Sequence, residues 1–428
     1  MEKPAPSWLF YGWIVVAGAF ISFAVASGLM HSFTVFFIAF LAEFGWSRAD
    51  TALAYSISQF ISGLSAPLIG VLVDRLGPRI LVLLGGVILA VGLAANAYVS
   101  SLWQLILLYG IVMTVGANCL GLLVSAPLVS RWFVQKRGMA IAIVQSANGF
   151  GRATSTPVAQ LLISALGWRA AYLVLSTFMA VLILPLLRLF QVREPAEMGL
   201  SPDGLSPAMV GEASAARQVR RGRARIVPSA PMRDWRLWDA MKTRHLWLLF
   251  SVYMFTGLGS FFVSLHQLAF AVDLGFDKLY AASILGAGSF LTIGGIIFIG
   301  AISDYIGREI SAILAYVSSI IGVLCALLLS NPDQTWLLWL HACFFGMTWG
   351  ARGPLITAKT ADLFQGKHLG AIYGVISIGT GIGAAAGSWA SGLIFDLTGS
   401  YRIAFLLSIA SYLGGCVTFW LLRRPPVR

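Results

Sequence analysis

Long apolar runs recur twelve times along this chain, each close to the roughly 20 residues that a helix needs to cross a hydrocarbon layer. The runs fall at about 11–41, 48–73, 79–99, 103–132, 137–166, 168–190, 243–274, 277–303, 308–330, 333–362, 367–398 and 400–422, with ends good to a few residues. Short polar turns separate them, except for one segment, 191–242, rich in Arg, Ser, Ala and Pro. That segment reads as a largely irregular linker. The pattern predicts an all-α polytopic membrane protein with an N-terminal six-helix unit (1–190), the linker (191–242) and a C-terminal six-helix unit (243–428).

The two units are copies. Gly70, Asp74 and Gly77, in the turn after the second run, fall on Gly300, Asp304 and Gly307 when the chain is displaced by 230 residues. The same displacement matches Glu43-Phe44-Gly45-Trp46 with Asp273-Leu274-Gly275-Phe276, Arg137 with Lys367, and Gly149 and Gly151 with Gly379 and Gly381. Near each unit's end, Trp168-Arg169-Ala170-Ala171-Tyr172 meets Tyr401-Arg402-Ile403-Ala404-Phe405. An even number of spans in each copy makes this a parallel repeat about an axis along the membrane normal.

Composition agrees. Hydrophobic residues make up 58% of the chain and charged residues 11%, against about 25% charge in soluble domains. The run that starts near Tyr11 is too long for a signal-peptide core. Trp8, Tyr11 and Trp13 suit an interfacial anchor. Charge placement sets orientation. Of 29 Lys and Arg, four (Arg48, Arg169, Lys278 and Arg402) fall on one side, two lie inside runs, and 23 fall on the side of the termini and linker. By the positive-inside rule the termini and linker are cytoplasmic, as in a bacterial-type inner membrane. The net charge of +12 thus reflects topology. The run Arg220-Arg221-Gly222-Arg223-Ala224-Arg225 lacks interleaved aromatics, which favours lipid contact over nucleic acid.

The turn motif Gly70–Arg79, its copy Gly300–Arg308 and the six-plus-six layout make the chain resemble the major facilitator superfamily of transporters. Tyr11-Gly12-Trp13, Phe44-Gly45-Trp46-Ser47 and Arg131-Trp132-Phe133 with Arg137-Gly138 resemble its monocarboxylate porter and oxalate–formate exchanger branch. That branch places its carboxylate-binding cations in the eighth and eleventh spans. Here the only cations of those spans are Lys278 and Lys367, at their starts. The resemblance implies alternating access, with Asp74, Arg75, Arg79, Asp304 and Arg308 in a gate on the terminal side. Arg308 is placed to pair with Asp362, while the mirror pair has no acid.

Cargo is better read from buried charge. An ionised side chain at mid-bilayer costs about 2.5–3.5 kcal/mol on insertion scales, so it calls for a function or a partner. Two arginines lie deep inside spans, Arg152 in the fifth and Arg352 in the tenth, with no Asp or Glu at comparable depth. The missing counter-charge is then expected to be the substrate, a small organic anion of the mono- or dicarboxylate kind, because a planar guanidinium donates two parallel hydrogen bonds to a carboxylate. The bland reading is a guanidinium bonded to backbone carbonyls. Both arginines break the repeat, since Arg152 aligns with Ile382 and Arg352 with Leu122.

Gln145, Asn148 and Arg152, spaced three and four apart, share a helix face. Gly350, Gly353 and Pro354 around Arg352 predict a bend. His31, His266, Asn118, Gln59 and Tyr373 are further candidates for substrate contact, each with helix packing as its plain alternative. Protons, carried on substrate or a histidine, or else exchange, are the expected coupling. Enzyme and cofactor signals are lacking: there is no Gly-x-x-x-x-Gly-Lys-Ser/Thr loop, and the histidines have no metal-ligand spacing. Two other readings stay open. An exporter of apolar or cationic compounds should carry acidic groups in its site. A non-transporting receptor should signal through the linker.

Overall fold

A computed structural model describes residues 11–133, 136–186, 195, 235–364 and 368–422. The side chains of residues 66, 67, 74, 137, 138, 301 and 304 lie outside the description, as does most of the linker.

Twelve helices cross the molecule in alternating directions: α1 (Tyr11–Phe44), α2 (Arg48–Leu76), α3 (Pro78–Asn96), α4 (Leu102–Trp132), α5 (Arg137–Leu166), α6 (Trp168–Leu186), α7 (Arg244–Asp273), α8 (Lys278–Ile306), α9 (Arg308–Leu328), α10 (Thr335–Thr348 continued by Arg352–Leu363), α11 (Leu369–Thr398) and α12 (Arg402–Leu421). Nine are long and apolar enough to cross a membrane on composition alone. The others are α2, part of which lies outside the description, α5, whose run carries Gln145, Asn148 and Arg152, and α10, which is broken into two shorter helices around Thr348 and Arg352. Their polar residues supply many of the polar groups at the centre.

The repeat is visible in the backbone. Gly45 and Gly275 take positive φ at the same junction, as do Gly77 and Gly307 (φ 79° and 91°), where a side chain would be strained. The Ser100 N–H donates to Gln104 Oε1 at 2.9 Å, and the Ser330 N–H donates to Gln334 Oε1 at the same distance. The α2 start is capped by Ser47 and the α8 start by Asp277. Each half has its own apolar core. In the first, Phe33, Phe36, Phe37, Phe40, Tyr109 and Tyr172 are buried; in the second, Tyr316, Tyr401, Phe405, Tyr412 and Phe419. The last part of the expected linker departs from an irregular chain. Leu237–Met241 is a short helix, Ala240 belongs to the second core and Trp235 packs on Phe364, 5.4 Å between ring centres.

The halves meet along two crossings, α2 on α11 and α5 on α8, which small residues bring close. A Cβ on Gly392 would lie 2.7 Å from the Arg48 carbonyl oxygen, and one on Gly286 would lie 2.7 Å from that of Ala153. At the end away from the termini the crossing is latched. The Arg48 guanidinium pairs with Asp273 at 2.7 Å. The Asp396 carboxylate of α11 accepts the Arg48 and Ala49 backbone N–H groups at 2.9 and 2.7 Å, capping the start of α2 in the opposite half. At the terminal end, the described ion pairs Arg308–Asp362 (3.6 Å) and Lys359–Glu309 (2.6 Å) each join helices of the second half. The expected Arg308–Asp362 pair is therefore present. The Asp74 and Asp304 side chains fall outside the description. Arg75 is exposed and Arg79 half-buried.

Candidate functional site

Four of the helices that converge on the centre are broken near mid-depth. α1 breaks between His31 and Phe33, α4 between Cys119 and Leu122, α7 between Ser264 and Gln267, and α10 between Thr348 and Arg352. The breaks in α4 and α10 are repeat mates, since Leu120-Gly121 falls on Gly350-Ala351. Pro354 accounts for the second, because it has no N–H to give to the carbonyl of Gly350. Interrupted helices turn free backbone groups and new side-chain directions toward a central site.

A cavity of about 250 Å³ opens in the first half. His31, Gln59, Asn118 and Asn148 line it, joined by Ser27, Ser58 and Ser62. Four of the residues singled out from sequence thus come together. Asn118 is already engaged: its Nδ2 donates to Ser65 Oγ at 2.8 Å and its Oδ1 accepts from Ser62 Oγ at 3.1 Å. His31 Nδ1–H donates to the Ser27 carbonyl at 2.8 Å, which leaves Nε2 as the free ring nitrogen. Gln145, one turn toward the terminal end of α5, lines none of the described spaces.

His31 also borders a second, much smaller space of about 20 Å³, shared with Arg152, Thr156, Ser264, Gln267 and Ser289. This space lies between the halves and holds little more than a water molecule. A neighbouring gap runs from Arg152 past Gln267, Ser289 and Thr292 to Trp349. The Arg152 guanidinium carbon stands 4.3 Å from the centre of the Trp349 ring, across the two halves. Its Nη1 is buried and meets no acceptor among the described residues. No carboxylate pairs with it there. Gln267 is held from behind by His341, whose Nε2 lies 3.1 Å from the Gln267 amide and whose Nδ1–H donates to the Gly322 carbonyl.

Arg352 lies elsewhere, and the expected two-arginine site does not form. It is 1% exposed, enclosed within the second half between the rings of Tyr412 and Tyr316 at 4.7 and 5.4 Å. Its Nη2 donates to Ser260 Oγ at 3.1 Å, while Nε and Nη1 have no hydrogen-bond partner among the described residues. It borders none of the described cavities. The irregular turn 349–351 explains the difference. It resets the helical phase, so Trp349 faces Arg152 while Arg352 turns into its own bundle.

His266 likewise borders none of the described cavities. Its Nε2–H donates to the Ser388 carbonyl at 2.9 Å, so Nδ1 accepts from the Tyr401 hydroxyl at 3.1 Å. Tyr401 in turn accepts from Arg48 at 2.6 Å, and the Ser388 hydroxyl meets that of Ser56 at 2.7 Å. His266 is thus an internal part of the latch between the halves. Tyr373 bonds Tyr253 at 2.7 Å and accepts from Thr357 at 3.1 Å, inside the second half. Sequence reading passed over Trp349, Gln267 and the latch residues Asp273, Asp396 and Tyr401.

Comparison with known proteins identifies the family and the fold. The Major Facilitator Superfamily family model fits residues 13–360. Monocarboxylate transporter 13 of Rattus norvegicus is 26% identical over 417 residues, covering 97% of this chain and 89% of the relative. Monocarboxylate transporter 12 of Rattus norvegicus is 27% identical, covering 93% and 82%. A transporter of the same superfamily from Bacillus subtilis (strain 168), YcxA, is 23% identical, covering 93% and 91%. Among solved structures, the nucleoside transporter NupG superposes with a TM-score of 0.72 at 12% identity, over 97% of this chain and 100% of that one. A bacterial homologue of the human lysosomal transporter Spinster superposes at 0.67 and 15% identity, over the whole of both chains. The chain belongs to the Major Facilitator Superfamily; it is an integral membrane transporter and not an enzyme.

Proposed function

We propose that this protein is a secondary transporter of a small organic anion of the mono- or dicarboxylate class. The observation that carries the reading is Arg152. It lies at the junction of the two halves, has a buried and unpartnered N–H group, and meets no protein carboxylate among the described residues. Such a cation is best matched by an anion that arrives with the cargo. The relatives named monocarboxylate transporters support that class.

The geometry suggests an order of events. An anion enters the 250 Å³ cavity, where Gln59 and Asn148 offer amide N–H donors, and His31 would offer another once its Nε2 takes up a proton. His31 borders both spaces, so it would pass the carboxylate toward Arg152. The space at Arg152 is too small for an organic acid while the halves are latched, so engagement requires them to move apart. Release of the Asp396 cap and the Arg48–Asp273 pair would open the far end. The Asp74 and Asp304 turns would close the terminal end, which we assign to the cytoplasm from the bias of positive charge. Protons carried with the anion, or exchange of one anion for another, would drive the cycle.

The test is uptake of labelled monocarboxylates and dicarboxylates into proteoliposomes, with and without a pH gradient. Saturable uptake of one or more acids, competed by other carboxylates but not by cations, is expected. Transport of apolar or cationic compounds indifferent to carboxylates would overturn the reading.

A further inference from the structure

We propose that Trp349 is the residue that lets the unloaded carrier close around Arg152, and so sets the protein up for net transport as well as exchange. The proposal rests on the anion reading above and adds a role that reading does not need.

Any anion carrier built on a buried cation must meet one problem. When the cargo has left, the cation is inside an apolar protein without its partner, and each passage of the unloaded carrier through its occluded state repeats that burial. A carrier with nothing to offset the charge crosses only when loaded, and is then an obligatory exchanger. Here a partner is built in. The Trp349 indole faces the Arg152 guanidinium at 4.3 Å. An aromatic ring carries a negative face, and Trp has the strongest. The ring belongs to α10 and the arginine to α5, so the contact joins the halves and is made and broken with their motion.

Trp349 is also held for this purpose. Its ring leans on Phe261 at 5.3 Å and Phe345 at 5.7 Å. It sits at the start of the irregular turn 349–351, where Gly350 lets α10 approach α8; a Cβ there would come within 2.8 Å of Thr292 and Ile296. The guanidinium carbon lies over the indole ring, while the edge bearing Nη1 has no hydrogen-bond partner among the described residues. A planar carboxylate binds along that edge. The two contacts therefore do not compete for the same surface, and the indole stays in place as the anion comes and goes.

The test separates two modes of flux in proteoliposomes with a labelled monocarboxylate. Exchange is measured with unlabelled substrate inside, and net uptake with none inside. Wild type is expected to run both. Trp349→Leu should keep exchange within about threefold and lose net uptake by about ten- to thirtyfold, the range a desolvated cation–ring contact represents. Trp349→Phe should restore part of the net flux. Exchange reports folding and anion binding in the same vesicles. If Trp349→Leu slows both modes equally, or neither, or if wild type runs exchange alone, the proposal is wrong while the anion reading stands. No carboxylate flux in either mode would overturn both.

Discussion

Removing the Asp396 carboxylate should loosen the end of the molecule away from the termini. The first N–H groups of α2 have no partner within the helix. Ser47 takes that of Asp50, and Asp396 takes those of Arg48 and Ala49 at 2.9 and 2.7 Å. The carboxylate also lies at the positive end of the α2 dipole. Its donors belong to the opposite half, so the interaction is present only while the halves are together. Capping contributes about 1 kcal/mol and an exposed charge at a helix start about 0.3–1 kcal/mol. Asp396→Ala should thus shift the balance between closed and open far end by about 1–2 kcal/mol, or roughly five- to thirtyfold. The assay is a spin-label distance between the far-end turns, with labels at Tyr98 in one half and Asp333 in the other. The native Cys119, Cys325, Cys343 and Cys416 must first be replaced. A new long-distance population in Asp396→Ala is expected, and a smaller one in Asp273→Asn, where only one side of the Arg48 pair is altered. An unchanged distance distribution in both would refute the latch.

Gly392→Val should act in the same direction by steric means: its Cβ would meet the Arg48 carbonyl at 2.7 Å, costing about 1–3 kcal/mol in the closed form, which the same labels would read. Arg352→Gln should lower the melting temperature but leave the apparent KM for the anion within about twofold, because Arg352 borders none of the described cavities; a tenfold rise in KM with stability unchanged would return it to the site. His31→Ala should raise KM about two- to thirteenfold, the value of one hydrogen bond at about 0.5–1.5 kcal/mol, with little loss of stability, as checked by uptake kinetics beside thermal unfolding.

Local pattern carried much of the fold. Nine of the twelve spans are, among the described residues, helices long and apolar enough to cross a membrane, and the repeat is visible wherever turn glycines and charges recur at 230. Gly350 and Pro354 pointed correctly to the broken α10. The same displacement would have found its mate at Leu120-Gly121 in α4, where no proline marks the break. What could not be read was direction across a break. Arg352 and Trp349 are three residues apart, yet one turns into its own bundle and the other toward the opposite half. Spacing on a continuous helix gives no warning of that. Gln145, Asn148 and Arg152 were correctly placed on one face of α5, but only Asn148 and Arg152 reach the described spaces. The latch was hidden for another reason. Arg48, Asp273 and Asp396 sit in turns and at span ends, where charge is expected anyway, and their partners are more than a hundred residues away. His266 looked like a cavity histidine because a buried, fully bonded histidine and a ligand-binding one have the same surroundings in sequence.

Arg152 is the cation proposed to bind the cargo. The most direct measurement is the concentration dependence of carboxylate uptake in proteoliposomes of wild type, Arg152→Lys and Arg152→Ala. Two hydrogen bonds to a charged group together contribute about 3–5 kcal/mol, so Arg152→Ala should weaken the apparent affinity by two orders of magnitude or more. Arg152→Lys, which keeps the charge but not the planar fork, should fall between. Saturation of Arg152→Ala at the wild-type concentration would contradict the account.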